Sequence, residues 1–79
     1  MSPTILREKG YRFFFFSREE SRRHVHVSAA NGEATFWLEP TIALARNHRL
    51  TRVQLREVEA LIEAHHDEFT EAWKTHFAG

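Results

Sequence analysis

The sequence predicts an α+β fold: a small antiparallel sheet of about three strands packed against a long C-terminal helix. Three observations carry it. The stretch Tyr11 to Ser17, YRFFFFS, is rich in aromatic residues, which favour strands. The stretch HVHVSAANGEATFWLE alternates apolar and polar residues on both sides of Asn31-Gly32, a strong hairpin signal. From Thr51 onward, Leu55, Val58, Ile62, His65, Phe69, Trp73 and His76 recur at helical spacing.

The 79 residues make a single domain, 1–79. Residues 1–40 hold the sheet and its hairpin, 41–50 a short helical turn or loop, and 51–77 the long helix. PTIL near the start is a short strand or an extended arm, with Pro3 suited to an edge because it has no amide proton to donate. With Asn31-Gly32 as a two-residue loop, Val27 faces Phe36, His26 faces Trp37 and Val25 faces Leu38. Val25, Val27, Ala29, Ala34, Phe36 and Leu38 then share one face, the core. His24, His26, Ser28, Thr35, Trp37 and Glu39 share the other. Thr51 is the N-cap of the long helix, with Gln54 completing a capping box. Trp73 is the aromatic anchor between helix and sheet, and His65 is a core histidine bonded by one nitrogen.

A strand sends alternate side chains to opposite faces, so Phe13 to Phe16 divide into two pairs. One pair joins the helix-facing core. The other lies beside His24, His26 and Trp37 and requires a different cover.

Composition is that of an ordinary soluble globular protein, 42% hydrophobic and 28% charged. There is no cysteine, hence no disulfide or thiolate metal site. MSPTILREKG has no apolar signal core, and no apolar run reaches the length of a membrane span, so the expected location is the cytoplasm. The net charge of zero hides an asymmetry: residues 1–56 carry ten Lys/Arg and five Asp/Glu, residues 57–79 one Lys and six acids. This makes a basic front and an acidic tail, which solvated faces account for.

His24 and His26 place two imidazoles on one strand face. They suit general acid–base work, with Glu33 or Glu39 orienting one of them. They also suit a shared metal with Glu39 as third ligand, but that ligand set is incomplete; the expectation is no metal and no cofactor. Arg46, Arg49, Arg52 and Arg56 cluster around the start of the long helix, where cations oppose the macrodipole, and an anion site would explain them. Pairing with acids elsewhere is the competing explanation. Arg22 and Arg23 add positive charge beside His24, and Trp37 offers a ring for stacking on single-stranded RNA.

The segments PTIL, YRFFFFS, HVHV, GEA, FWLEP and the terminal EAWKTHF together resemble the small bacterial proteins grouped as domain of unknown function 4160. The resemblance covers nearly the whole chain. Its pattern of Pro-Thr-Ile, an aromatic strand, His-x-His, Gly-Glu-Ala and a closing helix with Trp is met by Pro3 to Ile5, Phe13 to Phe16, His24 and His26, Gly32 to Ala34, and Trp73. Arg22 and Arg23 stand where the family pattern has proline before the first histidine. The resemblance implies a gene beside that of a second small protein, in a toxin–antitoxin-like arrangement, and brings no agreed activity. The expected function is thus a toxin-like component acting through partner binding and also RNA. The alternative is a non-catalytic interaction module or homodimer. A small histidine-based metal-binding domain ranks third. An enzyme of this kind would be a metal-independent ribonuclease.

Overall fold

The computed structural model describes residues 4–15 and 22–77. Five strands, β1 (Thr4–Glu8), β2 (Tyr11–Phe14), β3 (His24–Ala29), β4 (Gly32–Trp37) and β5 (Ala43–His48), form one antiparallel sheet in the order of the chain. Two helices, α1 (Arg52–Ala64) and α2 (His66–Phe77), follow. The class is α+β as expected, with two more strands and one more helix.

β1 is a full strand because Lys9 and Gly10 take positive φ (54° and 85°) between Glu8 and Tyr11, which are paired. Two left-handed residues in a two-residue loop match the right-handed twist of a hairpin. Pro3 lies outside the described residues.

The segment expected as a helical turn or loop, 41–50, contains β5 instead. Its residues, ALARNH, have little intrinsic strand preference, so the backbone pairing offered by β4 decides the conformation. A bulge falls at Ala45: Thr35 pairs with Arg46, but Phe36 pairs with Leu44. A second bulge leaves Ile5 unpaired in β1, between Thr4 and Leu6. Both edge strands are thus irregular, which hinders edge-to-edge pairing.

The β3–β4 hairpin turns at Ala30-Asn31, not at Asn31-Gly32, with Ala29 opposite Gly32, Val27 opposite Ala34 and Val25 opposite Phe36. Cross-strand partners therefore move by two residues, and a shift of two keeps every side chain on its expected face. Neither Ala30 nor Asn31 has positive φ, so the left-handed turn that Asn-Gly favours does not form. Gly32 serves a different end. A Cβ there would collide with the His48 carbonyl and lie 2.8 Å from Cβ of Arg49, so glycine lets β5 close on β4.

The long helix is two helices. A straight helix over 51–77 would measure about 40 Å at ~1.5 Å per residue, longer than the 35 Å major axis of the molecule. The chain turns at His65 (φ −114°, ψ 21°), so both apolar stripes stay over the sheet. Thr51 caps α1 as expected, with Gln54 completing the box.

The core lies between sheet and helices: Phe13, Phe15, Val25, Val27, Phe36 and Leu38 meet Val58, Leu61, Ile62, Phe69 and Trp73. Phe13 packs against Phe69 (centroids 5.4 Å apart) and Phe15 edge-on to Trp73 (5.1 Å), which makes Trp73 the expected anchor. Phe14 points to the opposite face and stacks on His26 at 5.6 Å. The division of the phenylalanine run is as expected for these three rings; Phe16 lies outside the described residues.

Candidate nucleic-acid interface

Both helices pack on one side of the sheet, so alternation sends a second set of side chains to the helix-free side. Strand pairing orders them into rows that cross the sheet. One row runs Arg7, Arg12, Ser28, Glu33, His48; the next runs Thr4, Phe14, His26, Thr35, Arg46; the third runs His24, Trp37, Ala43. The first two rows carry three arginines, two histidines and a single acid. The acids of the chain's second half, Glu57, Glu59, Glu63, Asp67, Glu68 and Glu71, are all on α1 and α2. The charge asymmetry in the sequence thus becomes an asymmetry between layers.

Histidine environments differ. His24 is only 5% exposed, with Trp37 and Trp73 edge-on to its ring at 5.5 and 5.2 Å. Its Nδ1 lies 2.7 Å from the Arg22 carbonyl, so that nitrogen carries the proton and donates. His26 is half-buried, its Nδ1 3.0 Å from Thr35 Oγ1 and its ring 5.2 Å from that of His24. Glu39 is engaged by Arg23, through the backbone amide at 2.9 Å and Nε at 3.7 Å. The expected acid–base set of His24, His26, Glu33 and Glu39 is therefore divided. His26 and Glu33 share a cavity, His24 is enclosed by tryptophans, and Glu39 holds the start of β3.

That cavity has a volume of about 120 Å³ and is lined by Phe14, His26, Glu33, Thr35, Arg46 and His48 among others. Among the described residues, neither Arg46 nor His48 makes a side-chain hydrogen bond or ion pair, and nor does Glu33. His48, Phe14 and Thr35 were not singled out as site residues from the sequence. The signal for His48 was the pairing of β5, which its composition conceals, whereas Phe14 and Thr35 were legible only as members of the His26 face.

The expected arginine cluster divides too. Arg46 faces the cavity, whereas Arg52 and Arg56 are exposed on α1, in the other layer. Arg49 is in the left-handed region (φ 72°) at the link between β5 and α1. The first turn of α1 does not present a bare set of amides, because Thr51 Oγ1 accepts from the Gln54 amide. Arg22 lies over the Trp37 ring at 4.0 Å and donates to the Glu39 carbonyl at 2.9 Å. Arg12 similarly lies 4.5 Å over Phe14 and donates to Thr4 Oγ1 at 2.7 Å. Guanidinium planes on aromatic rings present a flat cationic surface.

On the helix side, two contacts tie the layers together. Tyr11 donates to Glu57 at 2.7 Å; burial, and then the Glu57 carboxylate, push its pKa up to about 12. His65 is not a core residue but a partly exposed one, bonded by both nitrogens rather than one: Nδ1 is 3.0 Å from Glu68 and Nε2 3.4 Å from Glu8. The Glu68 hydrogen bond raises its pKa above the ordinary histidine value despite opposing desolvation, and the charges of Glu68 and Glu8 add to the rise. Among the described residues, no group of three or more His, Asp or Glu could hold a metal ion. Among the described residues, no helix is long and apolar enough to cross a membrane.

No curated protein and no solved structure matches the chain. Residues 10–74, which include all of β2 to β5 and α1 and most of α2, match the family model described as domain of unknown function (DUF4160). The His-x-His strand, the Gly-Glu-Ala start of β4 and the Trp73 anchor lie within that match, and the chain belongs to this family.

Proposed function

We propose that this chain is the toxin-like component of a two-gene module and that it engages single-stranded RNA on the helix-free face of the sheet. One observation carries the RNA reading: cations and rings are ordered in rows across five strands on the sheet face opposite the core shared with α1 and α2. A polynucleotide needs cations for its phosphates and flat groups for its bases, and a sheet spaces both regularly. The two-gene context rests on the family resemblance.

The test is binding of a fluorescein-labelled single-stranded RNA by anisotropy at low salt. Wild type binds saturably; Arg7→Ala/Arg12→Ala/Arg46→Ala loses most of the affinity. Absence of binding by folded wild type overturns the RNA reading. Induction of the chain alone in a bacterial host tests the toxin-like part, and normal growth with soluble protein overturns it.

A second reading, a protein partner or second copy, is favoured by the edge strand β5, which leaves Leu44 46% exposed. Co-expression with the product of the neighbouring gene, followed by gel filtration, separates a complex from a homodimer.

A further inference from the structure

Glu33 and Arg46 stand on neighbouring strands, because Glu33 pairs with His48 and Thr35 with Arg46. Diagonal neighbours of this kind have backbones about 7–8 Å apart, within reach of a long side chain. Yet among the described residues these two opposite charges form no ion pair, and both line the same cavity. Two unpaired, opposite charges in one cavity suit a ligand that brings an anion and a hydroxyl together. A bare phosphate would be repelled by Glu33.

We infer that the cavity takes the ribose-phosphate of one unit of an RNA strand, its base remaining outside, with Arg46 and His48 on the phosphate and Glu33 accepting a hydrogen bond from the 2′-hydroxyl. The inference rests on the RNA reading above and sharpens it, because Glu33 then selects RNA over DNA. A deoxynucleotide leaves the carboxylate facing the strand with nothing to accept, while keeping its repulsion for the phosphate. The 2′-hydroxyl is the group by which a site tells the two nucleic acids apart.

The experiment compares a labelled uridine-rich RNA with its deoxy counterpart over a range of salt, using wild type, Glu33→Gln, Arg46→Ala and, as a control in the other layer, Arg52→Ala. Wild type prefers RNA about tenfold, as expected for one hydrogen bond to a charged group. Glu33→Gln reduces that preference to about twofold or less, since the amide is a weaker acceptor and no longer repels the phosphate. Arg46→Ala lowers the salt slope of log K by about 0.7, the loss of one phosphate contact on a single strand. Arg52→Ala changes neither quantity. Equal affinity of wild type for RNA and DNA overturns the inference while leaving strand binding intact, as does an unchanged preference in Glu33→Gln. An unchanged salt slope in Arg46→Ala overturns the phosphate assignment. Failure of wild type to bind either strand overturns the reading beneath it.

Discussion

The side-chain amides of Asn31 and Gln54 bind each other reciprocally: Asn31 Nδ2 donates to Gln54 Oε1 at 2.9 Å, and Gln54 Nε2 donates to Asn31 Oδ1 at 2.8 Å. Asn31 also donates to the Arg49 carbonyl at 2.9 Å, and Gln54 Oε1 accepts from the Thr51 amide at 2.9 Å. The tip of the β3–β4 hairpin is thereby tied to the N-terminus of α1, and one glutamine serves both the cap and the clasp.

Asn31→Ala removes three hydrogen bonds and should cost about 1.5–3 kcal/mol, the lower part of the span set by roughly 0.5–1.5 kcal/mol for each, because the site is exposed. Urea unfolding of Asn31→Ala, Gln54→Ala and the double variant measures the coupling. Additive losses would show that the amide pair contributes nothing of its own.

Gly32→Ala should destabilise by about 1–3 kcal/mol, the range for forcing extra atoms into a packed site. The obstacle is backbone, the His48 carbonyl, which cannot swing aside as a side chain would. Gly10→Ala gives the contrast. Nothing lies within 4 Å of its Cβ, but φ of +85° strains any L-residue, for about 1–2 kcal/mol. Thermal melts distinguish the causes, because Gly10→Asn should recover part of the loss and Gly32→Asn none.

His65 should make folding more favourable in acid than at neutral pH. Its folded-state pKa is raised, chiefly by Glu68, with Glu8 adding to it. Its contribution is therefore complete below the unfolded value near 6.5 and is lost as pH rises through the raised folded value. Proton NMR titration of His65 in wild type and in Glu68→Gln checks this. The variant should titrate lower, and an identical midpoint would remove Glu68 as the cause.

Tyr11 is the only tyrosine in the chain, so ultraviolet difference titration reports it alone. It should ionise near pH 12 in the folded protein and earlier in Glu57→Gln. The neutral phenol is the form that the fold favours. Its stabilisation is present below pH 10 and declines as pH rises from about 10 towards 12. A single titration near pH 10 in the native protein would contradict the buried Tyr11–Glu57 contact.

Faces were legible in the sequence where packing enforces period. Val25, Val27, Phe36 and Leu38 had to share a face whatever the turn did, because a two-residue slip preserves parity. The helical stripe from Val58 to Trp73 was equally plain, since it repeats at the helical period and has an aromatic face to cover. His24 and His26 could be placed on one strand, but not distinguished: burial of one between Trp37 and Trp73 depends on a helix some fifty residues away in sequence.

The rest belongs to the tertiary structure. β5 exists because β4 offers an unpaired backbone edge, an influence that a window of ALARNH does not contain. The break at His65 keeps the apolar stripes of both helices over the sheet, and that fit is judged only against the folded whole. The candidate site depends on both. Arg46 and His48 join Phe14, His26 and Glu33 only after three β-pairings align them in rows, so residue chemistry was set by sequence and its convergence by the sheet.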